Sequence, residues 1–152
     1  MSEPVRDQVF ISYSHKDAKY LDELRTHLTV LQRECGLSVW SDEAIKAGDV
    51  WRKEIQTALR RARVGLLLVS PDFLASDFIA KNELPQLLAA VGRQDLRIFW
   101  VPVRKSLVEK TPISDYQAAW PPDKPLDGLR GSKRNDAWVG IARQLLEQAA
   151  NP

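Results

Sequence analysis

The chain of 152 residues contains a single cysteine, Cys35, so no disulfide bond can form within it. This composition is typical of proteins in a reducing cytosol, and we expect a cytoplasmic location. Cys35 precedes Gly36, a helix-ending residue, and is expected to be buried or half-buried. No apolar run approaches the roughly 20 residues that a membrane-spanning helix needs. The polar N-terminal residues MSEPVRDQ lack the pattern of a secretory signal.

The net charge is small and metal-binding residues are few. Twenty-two Lys and Arg residues face 20 Asp and Glu residues, and the net charge of +2 does not demand a nucleic-acid partner. The two histidines and one cysteine form no cluster with metal-ligand spacing, so no metal site is predicted. Neither a GxGxxG motif nor a P-loop is present. These absences exclude the usual glycine-rich cradles for dinucleotides and triphosphates.

What the chain does contain is an alternation of strand-like and helix-like segments. Continuous apolar runs at 8–13, 37–40, 64–69 and 97–103 are typical of parallel strands that are buried on both faces. Helical periodicity predicts helices over 18–33, 50–62, 76–91 and 136–149. The proline-rich stretch 104–132 predicts an irregular connection that holds a weakly marked fifth strand. The sequence therefore predicts one open α/β domain, flavodoxin-like, with a five-stranded parallel sheet in the order 2-1-3-4-5.

One carboxylate lies in an unusual place within the predicted helix 76–91. Glu83 is four positions from both Ile79 and Leu87, so it falls within the apolar stripe of that helix. A buried carboxylate needs a partner, a shifted pKa or a chemical role. The predicted strand order places a ligand crevice between strands one and three, and this helix leaves that crevice. Two interpretations of Glu83 remain open at this point. It is either structural, in a salt bridge or at a partly exposed edge position, or it has a functional role.

Four ordered blocks resemble one known family. QVFISYSHKD, LSVWSDEAIKAGDVW, VGLLLVSPDFLASDFIAKNELPQLL and TPISDYQAAWPPDKPL are similar to successive segments of prokaryotic TIR (Toll/interleukin-1 receptor) domains. The second block resembles a strand followed by the family's mobile loop, here 41–50. The blocks cover nearly the whole chain, 1–152, and the resemblance implies the effector domain of a bacterial defence protein that also carries a sensor domain.

The resemblance implies a choice between two functions. Some TIR domains are scaffolds that bind only other TIR domains, whereas others cleave NAD, as a substrate and not a cofactor, at the nicotinamide–ribose bond. The glutamate of the enzymatic members matches Glu83. For such an enzyme, the expected substrate-binding residues are Tyr13 and Ser14 at the end of strand one, Asp42, Glu43 and Lys46 in the loop that could close over the ligand, and Trp51 and Ile79.

The chain departs from the enzymatic pattern at Ile79, where several members carry an aromatic residue. Phe78 and Trp51 are candidate substitutes for the missing stacking surface. One carboxylate suffices for the chemistry, because nicotinamide in NAD is cationic and leaves as a neutral molecule. We therefore expect an NAD glycohydrolase that is activated by self-association, with a non-catalytic TIR scaffold as the alternative. Nucleic-acid binding through the basic residues near 52–63 is the least favoured interpretation.

Overall fold

Five parallel strands form a single sheet at the centre of the protein. The computed structural model describes residues 8–41, 49–93 and 96–150. The strands are β1 (Gln8–Ser12), β2 (Ser38–Ser41), β3 (Ala62–Val69), β4 (Arg97–Pro102) and β5 (Gln117–Ala118). They lie in the order β2-β1-β3-β4-β5, and each neighbouring pair is parallel. The flavodoxin-like arrangement expected from the sequence is confirmed, including a fifth strand within the proline-rich stretch.

Helices cover both faces of this sheet. They are α1 (Ala18–Cys35), α2 (Asp49–Arg61), α3 (Pro71–Ala75), α4 (Leu84–Arg93) and α5 (Ser132–Ala150). A π-helical turn, Ile79–Glu83, leads directly into α4. Four 3-10 turns complete the described chain: His15–Asp17, Val108–Lys110, Pro112–Asp115 and Leu126–Gly128.

Alternation along the strands divides the core into two clusters. We call the sheet side that carries α1 and α5 the α1/α5 face, and the other side the α2/α4 face. Apolar side chains from the strands reach the α1/α5 face from Val9, Ile11, Leu66, Leu68 and Val101. Their neighbours along the strands reach the α2/α4 face from Phe10, Leu67, Val69, Ile98 and Trp100. Because neighbouring strands keep register, a residue's position in this alternation tells which helices it meets.

Three local details differ from the sequence predictions. A short helix, α3, occupies the predicted loop after β3, because Ser70 caps it and Pro71 starts it. The closing helix α5 begins at Ser132, earlier than the predicted 136. Cys35 is exposed, so the expectation that it would be buried or half-buried is wrong. It follows buried Leu28 by seven positions, but residues 32–36 are all exposed, so the end of α1 extends beyond the core.

Candidate active site

The carboxyl ends of β1 and β3 define a crevice at the centre of the sheet. β1 lies between β2 and β3, and the register pairs Ser12 with Leu67. The chain leaves β1 toward α1 on one face and leaves β3 toward α3 and α4 on the other face. In open α/β sheets, ligands bind at such a switch point, outside the carboxyl ends of the strands.

Glu83 ends the π-helical turn on the helix that follows β3, one of the two strands that define this crevice. The Oγ of Ser76 accepts a hydrogen bond from the backbone N–H of Ile79 at 3.3 Å and so caps the start of the turn. The turn ends just before Pro85, which has no N–H to donate to the preceding turn. Glu83 is 0% exposed, as is Leu87 one turn later. A carboxylate is therefore held within an apolar stripe, and π-helical turns of this kind often occur at functional sites.

A close approach fixes the distance between this helix and the sheet. Gly65 of β3 faces Leu87 of α4, and a Cβ at position 65 would lie 3.0 Å from Cδ1 of Leu87. Glycine at position 65 lets the helix that carries Glu83 lie directly on β3. A methyl group at this position would require Leu87 to move.

The two flanks of the Glu83 stripe differ in chemistry. On one flank, Gln86 donates its Nε2 hydrogen to the carbonyl of Asn82 at 3.3 Å. On the other flank, Leu84 and Leu88 line an open apolar cavity of about 370 Å³, together with Ile79 and the segment 110–113. Because that segment leads from β4 toward β5, the polar flank is the one that faces β1.

Asp17 holds the ends of three strands together. It is 1% exposed, accepts a short hydrogen bond from the Oγ of Ser70, and is bonded by Arg104 Nε and Nη2 at 3.2 and 3.0 Å. Arg104 also bonds Asp72, a hydrogen bond that lowers the pKa of the Asp72 carboxyl and raises the pKa of the guanidinium. Lys16 lies 3.7 Å from Asp72. The segments that follow β1, β3 and β4 are thereby tied to one another at the crevice.

Ser12 is the last residue of β1 and is 1% exposed. Ser12 follows Phe10 by two positions and pairs with Leu67, and both of those side chains point to the α2/α4 face. The Ser12 side chain therefore lies on the same face, which also carries the Glu83 helix. Among the residues that the structure describes, its Oγ has no hydrogen-bond partner. Ser12 is not among the binding residues predicted from the sequence, although its position two residues after Phe10 is enough to assign it to this face.

Comparison with known proteins now settles the family. The family model described as "TIR domain" matches residues 9–129 of the chain. The chain belongs to the TIR domain family. The family expected from the sequence is thus confirmed.

Three curated relatives resemble this TIR domain. It is 36% identical over 141 residues to the uncharacterized protein y4lF of Sinorhizobium fredii, and the matched region covers 93% of the chain and 43% of the relative. It is 36% identical over 89 residues to the 2′ cyclic ADP-D-ribose synthase AbTIR of Acinetobacter baumannii, and the matched region covers 58% of the chain and 31% of the relative. It is 34% identical over 70 residues to the 2′ cyclic ADP-D-ribose synthase BtTIR of Bacteroides thetaiotaomicron, and the matched region covers 45% of the chain and 23% of the relative. The TIR domain therefore spans less than half of each relative.

A solved structure shares the fold. The TIR domains in the activated Roq1 resistosome, which directly recognizes the pathogen effector XopQ, superpose on this TIR domain with a TM-score of 0.52. The sequence identity is 17%, and the match covers 92% of this chain and 83% of the other.

The predicted binding residues of the TIR domain lie on different sides of the sheet. Tyr13 is buried in the α1/α5 core, with its ring centroid 5.5 Å from that of His15. The Oγ of Ser14 accepts a hydrogen bond from the N–H of Lys16 and caps a 3-10 turn. Ile79 is 4% exposed and packs within the α2/α4 core beside Glu83. Ile79 lies on the same face as the Glu83 helix and Tyr13 lies on the other face, and the binding roles of all four residues stay predictions.

Most of the remaining predicted binding residues have side chains outside the part of the chain that the structure describes. Asp42, Glu43 and Lys46, in the segment 41–50 predicted to be a mobile loop, lie outside the described residues. Trp51 belongs to α2, but its side chain is also outside what is described. Phe78, a candidate substitute for the missing aromatic residue, is half-buried and packs against the α2/α4 core.

Two features of the described TIR domain bear on other classes of site. Across residues 8–41, 49–93 and 96–150, no group of three or more His, Cys, Asp or Glu side chains is arranged to hold a metal ion. Within the same ranges, no helix combines the length and apolar character needed to cross a membrane.

A separate cavity of about 670 Å³ lies between α1 and α5. It is lined by the ion pair of Glu23 and Arg134, with Trp138 Nε1 donating to Glu23 at 2.9 Å. The cavity lies on the α1/α5 face, away from the Glu83 helix. Its size alone does not make it the active site.

Proposed function

We propose that this TIR domain cleaves the nicotinamide–ribose bond of NAD, with Glu83 as the catalytic residue. The observation that carries the proposal is a fully buried carboxylate on the helix that follows β3, one of the two strands that define the switch point of the sheet. Two of its relatives are named 2′ cyclic ADP-D-ribose synthases, which supports NAD as the substrate.

The reaction requires little acid–base chemistry. The C1′–N bond breaks, its electron pair stays with nicotinamide, and the cationic ring becomes a neutral leaving group. The ribose is left with oxocarbenium character, which a fixed carboxylate in a water-poor site stabilises. Glu83 acts by accepting hydrogen bonds from the ribose hydroxyls and by opposing the positive charge that develops.

Capture of the ribose cation determines the product. Attack by water forms ADP-ribose and releases one proton. Attack by a hydroxyl of the adenosine ribose releases the same proton and closes a ring, as in the cyclic products after which the two relatives are named. Both outcomes consume one NAD and release one nicotinamide.

Activity depends on self-association in this proposal, and the domain serves as an effector in cytoplasmic bacterial immunity. The chain spans less than half of each curated relative, which fits a longer protein with a sensor domain. Turnover per molecule should therefore rise with protein concentration or with a crowding agent. A flat dependence on concentration would contradict the requirement for assembly.

The test is nicotinamide release from NAD by wild type, Glu83→Gln and a matched control, Glu147→Gln. Glu147 is exposed on α5, on the opposite face of the sheet. We expect Glu83→Gln to lose at least about 100-fold of the turnover with its circular dichroism unchanged, because it removes the charge that stabilises the transition state. The control should keep wild-type turnover. Equal activity of wild type and Glu83→Gln would refute the assignment.

A second candidate is a TIR scaffold without catalysis. It is favoured by Ile79, a buried aliphatic residue at the position where enzymatic members often carry an aromatic one. This candidate predicts that concentrated wild-type protein forms assemblies and releases no nicotinamide.

A further inference from the structure

Across residues 8–41, 49–93 and 96–150, two buried polar oxygens on the side of the sheet that carries Glu83 have no hydrogen-bond partner. They are the Oγ of Ser12, at the carboxyl end of β1, and the Oε1 of Gln86, on the polar flank of α4. A buried hydroxyl or carbonyl without a hydrogen bond loses its hydration and gains nothing in return, so a purely structural core would be more stable with alanine at position 12.

Topology places the two groups on the same side of the sheet. Ser12 points to the α2/α4 face, because it follows Phe10 by two positions in β1 and pairs with Leu67 of β3. Gln86 follows Glu83 by three positions, so the two side chains are neighbours on one side of the helix. That side faces β1, whereas Leu84 and Leu88 face the segment between β4 and β5.

We infer that Ser12 and Gln86 are specificity-determining residues that bind the hydroxyls of the nicotinamide ribose together with Glu83. This inference rests on the proposed function and names the part of the substrate that each residue recognises. A ribose diol offers two hydrogens to donate and oxygens that accept. The Ser12 hydroxyl can donate to one ribose oxygen, while the Gln86 carbonyl and the Glu83 carboxylate accept from the two hydroxyls.

This arrangement explains why the polar groups are retained in an apolar core. Their hydrogen bonds are made only when the substrate is present, so the cost in the free protein is recovered on binding. A substrate that lacks a ribose hydroxyl leaves one of these groups unpaired, which is how buried polar groups reject analogues.

The decisive variant is Ser12→Ala, assayed beside Thr29→Ala as a control. Thr29 is exposed on α1 and donates its hydroxyl to the Arg25 carbonyl, on the far face of the sheet. Ser12→Ala should unfold at the same or a higher temperature than wild type, because it removes an unsatisfied hydroxyl. Its kcat/KM for NAD should nevertheless fall about tenfold. Gln86→Met should show a loss of similar size, and Thr29→Ala should show none.

Substrate analogues provide a readout that a structural role would not change. NAD analogues without the 2′- or the 3′-hydroxyl of the nicotinamide ribose are compared in wild type and Ser12→Ala. The penalty of Ser12→Ala should disappear on the analogue that lacks the contacted hydroxyl. Wild-type kcat/KM in Ser12→Ala, or an equal loss on NAD and both analogues, overturns the inference and leaves the proposed function intact.

Absence of turnover by wild type would instead refute the proposed function. Titration of NAD against wild type and Ser12→Ala then decides the inference by itself. Weaker binding by Ser12→Ala supports a binding role for Ser12. Equal or undetectable binding by both proteins overturns it.

Discussion

Arg104 Nη2 lies 3.0 Å from Asp17 Oδ1, and this contact joins the end of β4 to the start of α1. The Asp17 side chain is 2% exposed, whereas that of Arg104 is 31% exposed. A buried carboxylate of this kind is stable only while its partners are in place, because the charge has lost its hydration.

Replacing Arg104 should therefore destabilise the fold through Asp17. We expect Arg104→Met to lower the free energy of unfolding by roughly 3 kcal/mol, because it strands a buried charge. Lys105→Met is the control, since Lys105 is the exposed next residue, and it should change stability by less than about 0.5 kcal/mol. Urea denaturation of both variants measures the difference. Similar midpoints for the two variants would show that Arg104 does not support Asp17.

The contact between Gly65 and Leu87 predicts a coupled pair of substitutions. Gly65→Ala should cost about 1–3 kcal/mol, because its Cβ meets Leu87 Cδ1 at 3.0 Å. Leu87→Ala alone should cost about 2–5 kcal/mol by leaving a cavity. The double variant should cost less than the sum of the two, since each change relieves the other.

Gly140→Ala is the matched control for the glycine substitution. A Cβ at this position of α5 meets no atom within 4 Å, and alanine is the better helix former. Thermal unfolding should show a small rise in stability for this variant. Strict additivity of Gly65→Ala and Leu87→Ala would count against the close approach of α4 to β3.

The ion pair between Glu23 and Arg134 predicts a pH dependence of stability. The hydrogen bond from Arg134 lowers the pKa of the Glu23 carboxyl below its usual value of 4.5, against an opposing effect of burial. The folded state thus favours the ionised form, so the stabilisation is fully present above pH 4.5 and is lost as pH falls through the lower folded-state pKa. Glu23→Gln should cost about 1 kcal/mol at pH 7, since the pair is partly solvated.

Chemical denaturation across pH 2.5 to 7 checks this expectation. The stability difference between wild type and Glu23→Gln should shrink toward the acid end of the range. Glu34→Gln removes an exposed pair with Arg33 and should show little difference at any pH. A gap between wild type and Glu23→Gln that grows on acidification would reverse the assigned sign.

Exposure of Cys35 predicts rapid labelling of the folded protein. Since it is the single cysteine of the chain and is exposed, one equivalent of a thiol reagent should react under native conditions. The labelling rate should be similar in native buffer and in denaturant. Labelling that begins only on unfolding would place Cys35 inside the protein.

Local patterns in the sequence determined the elements and their order. Apolar runs produced the strands, and helical spacing placed Glu83 between Ile79 and Leu87 in a stripe that is buried. Gly36, which adopts a positive φ of 69° after α1, was also predictable, since glycine bears no Cβ penalty there. These features depend on residues near one another in the chain, so periodicity and turn chemistry suffice to predict them.

Only the tertiary structure decided which polar groups meet at the crevice. Asp17 is the N-cap residue of α1, but its side chain makes no capping hydrogen bond and instead accepts from Arg104, 87 positions away. Tyr13 lies on the α1/α5 face, whereas Ser12 shares a face with the Glu83 helix. Alternation shows that neighbouring residues point to opposite faces, but the packing of distant helices decides which face holds the site. Those contacts join segments far apart in sequence, and therefore no local pattern encodes them.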